Sequence, residues 1–234
     1  MIPIRDENPS RTFPLITLIL ILSNSIIWLY EWYISWGGEF FFERFIREFG
    51  LVPKNIPDNP KTLITHMFLH GSWFHIISNM WVLWIFGDNV EYVMGKLKFI
   101  LFYILCGLGA AALQVIVSLI FGGEETPMVG ASGAISGVLA AYMKFFPRAR
   151  IVSLVPFFFY IYFARIPALI FIGFWFISQI INGVLFLPFS GLGGVAWWAH
   201  IGGFIFGLWL APKFADITKL KTRKRIRIIR IKKE

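Results

Sequence analysis

The sequence predicts an all-α membrane protein, a bundle of six transmembrane helices, and three observations lead there. Hydrophobic residues fill 57% of the 234 positions and charged residues 15%, where a soluble domain carries about a quarter charged. Mean hydropathy is +0.70, more apolar surface than one soluble core of this size has to bury. Six apolar segments recur along the chain, roughly at 13–36, 66–90, 98–121, 130–146, 166–188 and 196–213. Most approach the length of about 20 residues that crosses a hydrocarbon core.

The polar start, residues 1–12, leads into the first segment. That run, Phe13 to Trp36, is longer than a signal-peptide core and is expected to stay as an anchor helix. The stretch from Gly37 to Lys61 mixes apolar and charged residues. Within it, Phe40 to Arg47 (FFFERFIR) reads as an amphipathic element lying in the outer interface. The third segment holds the lone Cys106, which excludes an internal disulfide and reads as a small buried hydrophobe. The fourth is the shortest, which suggests burial among neighbours. The apolar stretch Ile151 to Phe163 reads as a connector or an extended start of the fifth segment. One membrane domain at 13–213 then carries a short N-terminus at 1–12 and a basic tail at 214–234.

Six crossings place both termini on one side. Eighteen of the 22 Lys and Arg residues fall on that side. Arg44, Arg47, Lys54 and Lys61 are alone on the other. Lys and Arg accumulate on the cytoplasmic face, so both termini are expected there, and the minimal architecture suggests a prokaryotic plasma (inner) membrane. The net charge of +9 follows from this asymmetry. The tail pattern RIRIIRIKK, Arg225 to Lys233, fits a bilayer surface with anionic lipids better than nucleic acid.

With this orientation the second, fourth and sixth segments all descend from the outer face. His70, His75 and Asn79 fall in the first half of the second, Ser132 at the start of the fourth, and His200 near the start of the sixth. All then lie at similar depth, where polar groups need protein or trapped water to satisfy them.

Ser132 sits in Gly130-Ala131-Ser132-Gly133. The glycines let a substrate backbone approach, and a helix start leaves backbone N–H groups free to hold an oxyanion. Position 134 is Ala, so this is not the Gly-x-Ser-x-Gly elbow of soluble hydrolases. Gly133 and Gly137 on the fourth segment, and Gly203 and Gly207 on the sixth, have the spacing that lets helix backbones approach closely. Such contact would bring the His200 imidazole to the Ser132 hydroxyl as general base, and later as general acid toward a leaving amine. No Asp or Glu lies in the fourth to sixth segments, which predicts a dyad rather than a triad. His75 and Asn79 share a helix face and suit hydrogen-bond donation to an oxyanion. A metal site is disfavoured because the histidines lack His-Glu-x-x-His spacing and a nearby carboxylate or thiol. No cofactor is expected, and His66 reads as interfacial and inert.

The set His70-x4-His75-x3-Asn79, Gly130-Ala131-Ser132-Gly133 and Ala199-His200-Ile201-Gly202-Gly203-x3-Gly207 resembles the rhomboid family of intramembrane serine proteases. Phe49-Gly50-Leu51-Val52-Pro53 is also similar to members of this family. The resemblance implies a rhomboid-like six-helix bundle and a serine endopeptidase that cleaves transmembrane segments of single-pass membrane proteins. It implies Ser132 as nucleophile, His200 as general base, and His75, Asn79 and the Ser132 N–H as oxyanion site. It makes His70 structural, bonding the first outer loop. The fifth helix and the loop from Leu187 to Val195 would form a gate and cap. The family's usual aromatic residue four positions after the serine is here Ser136, so the histidine is expected to be held by Ser136 or by Trp197 or Trp198. The competing reading is an inactive rhomboid-like protein that binds transmembrane helices. A transporter is disfavoured by the absence of an internal repeat and of buried charges in the central spans.

Overall fold

The computed structural model describes residues 1–9, 11–157 and 160–220. The basic pattern beyond residue 220 lies outside the described residues. Each of the six apolar segments contains a long helix. These are α1 (Leu15–Ser35), α4 (Trp73–Met94), α5 (Lys96–Phe121), α6 (Ser132–Phe145), α7 (Ala168–Leu185) and α8 (Trp197–Phe214). The amphipathic stretch forms α2 (Glu39–Phe49), and a single turn, α3 (Thr62–Thr65), follows it. By length and composition α1, α5 and α7 can cross a membrane.

α1 shows how the bundle is assembled. Thr17, Leu20, Asn24, Trp28 and Glu31 are its buried residues, spaced as one helical face, while Leu22, Ile26 and Leu29 on its other side are exposed, as a lipid-facing surface requires. Pro14 leaves the start of α1 without a side-chain cap of its own. Glu91 of α4 fills that role: its carboxylate accepts from the Ile16 N–H (3.0 Å), the Thr17 N–H (2.8 Å) and the Thr17 hydroxyl (2.8 Å). A buried carboxylate satisfied by three donors at a helix N-terminus is favourable both as a cap and against the helix dipole.

α6 and α8 meet through their glycines. A Cβ added at Gly203 would overlap the Gly133 carbonyl, and one at Gly207 would lie 2.5 Å from the Gly137 Cα. α8 also leans on α5, where a Cβ at Gly202 would lie 2.8 Å from the Gly109 carbonyl oxygen. The two glycine pairs thus set the separation of the helices that carry Ser132 and His200.

Two expectations are corrected. The second apolar segment is not helical from residue 66. A 3₁₀ turn at His66–Phe68 precedes Gly71 and Ser72, and the Ser72 hydroxyl accepts from the His75 N–H (3.2 Å), capping α4 at Trp73. His70 therefore lies in the loop before the helix. The stretch from Ile151 is not a connector but a β-hairpin, β2 (Arg150–Phe157) and β3 (Tyr160–Pro167), joined on its other edge by β1 (Ile2–Asp6). All pairings are antiparallel, with Ile2 opposite Leu154 and Ile151 opposite Ile166. Val, Ile, Tyr and Phe favour this pleated geometry. The hairpin follows the C-terminal end of α6 and precedes α7, so it lies at the far end of α6 from Ser132.

Candidate active site

Ser132 is the first residue of α6, where backbone N–H groups have no partner within the helix. Gly130 makes the preceding turn with φ of 125°, a conformation open to glycine and rarely to other residues. Its N–H donates to the His66 carbonyl at 2.9 Å.

His200 lies in the first turn of α8, and its Nε2 is 2.8 Å from the Ser132 Oγ. The Gln114 side chain of α5 accepts from the Ala199 N–H at 3.2 Å, fixing the start of that helix. The other imidazole nitrogen, Nδ1, lies 2.8 Å from the Oε1 of Gln179 on α7. Two rings frame the imidazole: Trp175 of α7 is tilted beside it at 5.9 Å, and Trp197 meets it edge-on at 6.2 Å.

Asn79 and His75 rise from α4. The His75 ring lies against Gly130, where an added Cβ would come within 2.7 Å of its Cε1 and Nε2 and 3.5 Å of the Ser132 Oγ. Imidazole and hydroxyl therefore flank one small space. The Gly71 N–H donates to His75 Nδ1 at 3.5 Å, which leaves the proton on Nε2, the nitrogen facing Gly130. Asn79 is buried with its Nδ2 2.9 Å from His70 Nε2, and the second N–H of that amide remains available. His70 in turn packs edge-on against His75 at 4.9 Å. Its backbone N–H donates to the buried Glu31 carboxylate of α1 (3.1 and 3.3 Å to its two oxygens). His70 thus links the loop before α4 to α1 and to Asn79.

Three readings of individual residues change. Ser136 does not hold the histidine, because its hydroxyl donates to the Ser132 carbonyl at 2.6 Å within α6. Of the tryptophans, Trp197 reaches the imidazole as expected, and Trp175 was not foreseen. Gly133 is packed rather than open, since a Cβ there would lie 2.6 Å from the Ala110 Cβ. His66 is not interfacial. It is buried, with Nδ1 2.7 Å from the Thr62 carbonyl, and lines a recess with Gly130, Ser132 and Gly133. Sequence reasoning also missed Gln179. An amide side chain in a largely apolar helix was its signal, shared with Asn182 one turn on, because a polar side chain inside a membrane needs a partner.

Apolar helices that enclose a hydroxyl–imidazole pair at the start of one of them define a helical membrane protein with a partly buried serine–histidine site. The Rhomboid domain family model matches residues 58–216, more than half of the chain and all of these site residues. The chain belongs to the rhomboid family.

Among its curated relatives is the human presenilin-associated rhomboid-like protein, mitochondrial, 30% identical over 63% of this chain and 36% of the relative. Rhomboid protein 1, mitochondrial, of Saccharomyces cerevisiae is 28% identical over 48% of this chain and 33% of the relative. RHOMBOID-like protein 6, mitochondrial, of Arabidopsis thaliana is 33% identical over 35% and 25%. The chain therefore spans about a third or less of these relatives. The expectation of a prokaryotic plasma membrane is overturned, because these relatives are mitochondrial proteins of eukaryotes. The physical reason for the error is that a minimal six-helix architecture meets much the same hydrocarbon thickness in any bilayer, and Lys and Arg counts compare only the two sides of a membrane, so neither tells which membrane it is.

Proposed function

We propose that this chain is an intramembrane serine endopeptidase whose six long helices, within residues 13–213, form the membrane-spanning catalytic bundle. Its substrates are transmembrane segments of single-pass membrane proteins. The observation that carries the reading is the 2.8 Å contact between His200 Nε2 and Ser132 Oγ at the start of α6.

In this mechanism His200 Nε2 takes the hydroxyl proton as Ser132 Oγ attacks the scissile carbonyl carbon. The carbonyl oxygen becomes an oxyanion that accepts from the Ser132 N–H, His75 Nε2–H and Asn79 Nδ2–H. The imidazolium returns the proton to the leaving amine as the C–N bond breaks. Water then hydrolyses the acyl-enzyme by the same two transfers. A helical substrate hides its carbonyls in hydrogen bonds, so local unwinding precedes attack, and helix-breaking residues near the scissile bond assist it. α7 and the loop from Leu187 to Val195 act as gate and cap. In support of the cap, the loop is tied to the end of α5 by the Ser190 hydroxyl donating to the Phe121 carbonyl (3.0 Å) and to the next connection by the Thr126 hydroxyl donating to the Gly191 carbonyl (3.3 Å). The basic tail rests on anionic lipids.

The test is cleavage of a single-pass reporter co-reconstituted with the full chain in liposomes, its transmembrane segment carrying small and helix-breaking residues. Wild type should release the ectodomain, and Ser132→Ala and His200→Ala should not. Equal release by Ser132→Ala would refute the assigned nucleophile. A folded wild type that binds the reporter without cutting it would favour the inactive helix-binding relative.

A further inference from the structure

The sequence offers no carboxylate to orient His200, yet the structure does not leave the imidazole unheld. Gln179 of α7 is buried, at 4% exposure. Its Oε1 lies 2.8 Å from His200 Nδ1. Its Nε2 lies 3.1 Å from the Trp175 carbonyl oxygen and 3.0 Å from the Ser178 hydroxyl oxygen.

These contacts fix which way round the amide sits. A backbone carbonyl only accepts, so the NH₂ end must face Trp175 and the oxygen must face His200. An oxygen at that place accepts a hydrogen bond from an Nδ1–H. Nδ1 therefore carries the hydrogen, and Nε2 presents its lone pair to the Ser132 hydroxyl. Flipping the amide would set two oxygens against each other at Trp175. It would also turn Nδ1 into an acceptor and place the hydrogen on Nε2, where the ring can no longer take a proton from Ser132.

We propose that Gln179 is the positioning residue that sets the His200 tautomer, a neutral amide in the place a triad gives to a carboxylate. This rests on the reading of Ser132 and His200 as nucleophile and base. The Trp175 ring, one helical turn before Gln179, bounds the same imidazole. α7 thus supplies from one face both groups that compensate for the missing aromatic at position 136. Because both sit on the proposed gate, displacement of α7 takes the orienting acceptor away from the base.

Two readouts on the full chain in detergent test this. The first is ¹⁵N imidazole NMR, with the His200 signal among the four histidines assigned by its loss in His200→Ala. The second is the rate of labelling by a fluorophosphonate. Wild type should show hydrogen on Nδ1 and a bare Nε2. Gln179→Leu should lose that single tautomer and label about 10- to 100-fold more slowly. That is less than the roughly 10⁴-fold loss when a soluble triad loses its orienting carboxylate, because a neutral acceptor stabilises imidazolium less. Gln179→Glu, which keeps an acceptor oxygen, should restore the Nδ1–H tautomer and label faster than Gln179→Leu. A residue that merely fills space would give neither the tautomer change nor the rescue. Hydrogen on Nε2 in wild type, or an unchanged tautomer and rate in Gln179→Leu, would overturn the proposal. Failure of wild type to label at all would count against the protease reading, while the tautomer measurement still decides the role of Gln179.

Discussion

Substitution of Gly203 by alanine tests the helix contact on which the site depends. The added Cβ would overlap the Gly133 carbonyl oxygen, lie 2.8 Å from its carbon and touch the Ala110 Cβ at 3.4 Å. Carbon atoms settle at about 3.5–4.0 Å from their neighbours, so α8 must withdraw from α6 by on the order of 1 Å to admit the methyl group. Gly203 is three residues from His200, less than one helical turn, so the imidazole moves with it. A 2.8 Å contact between Nε2 and Ser132 Oγ then lengthens to nearly 4 Å, about 0.5 Å or more beyond hydrogen-bond range. A misplacement of about 1 Å can lower the rate by about 10²-fold, and overpacking of a tight contact destabilises by about 1–3 kcal/mol. Fluorophosphonate labelling rate and thermal unfolding in detergent measure the two effects. Gly173→Ala on α7 is the control, since nothing lies within 4 Å of its Cβ position. A Gly203→Ala protein that labels and melts like wild type would refute the close-contact argument.

Gly130→Ala should be worse for chemistry than for folding. The Cβ enters 2.7 Å from the His75 ring at a φ of 125°, and displacing one oxyanion donor costs about 10²–10³-fold in rate, measurable as single-turnover cleavage. Glu91→Ala removes the acceptor of three α1 donors and should lower stability by about 1–3 kcal/mol, read from thermal unfolding with site-directed labels on α1. The exposed Lys54–Glu125 pair, 2.6 Å apart, holds the Glu125 carboxyl below the ordinary carboxylate range and the Lys54 amine above the ordinary lysine range, in both through their mutual hydrogen bond and charge. Its contribution is thus fully present at neutral pH and lost as acid titrates Glu125 through its lowered pKa or as base titrates Lys54 through its raised one. Being exposed and screened, it should produce no resolvable melting shift at neutral pH when Lys54 becomes Ala.

Much of this site was legible in the sequence because its parts are local. Ser132 announces itself by flanking glycines, and the matched Gly-x-x-x-Gly steps state which two helices must touch. What escaped reading depends on pairing between distant residues. The hairpin Arg150–Pro167 looked like an apolar connector because both faces of its strands carry large hydrophobic residues, which blurs the alternation that marks a half-buried strand. Its partner β1 lies nearly 150 residues away. The start of α4 was misplaced because the apolar run continues through the turn at His66–Phe68, and only Ser72 as a cap separates the two. Gln179 was overlooked because its importance comes from the direction it faces on α7, which no single-helix pattern gives. Glu31 and Glu91 were passed over for the same reason, although a carboxylate buried in an apolar bundle must find donors.

The most direct measurement is the site of covalent modification. Wild-type protein treated with a fluorophosphonate and digested should carry the phosphonyl group on the peptide containing Ser132, and His200→Ala should carry almost none under the same conditions. An adduct on a different serine, or equal modification of Ser132 without the imidazole, would contradict the claim that α8 delivers the base to the hydroxyl of α6.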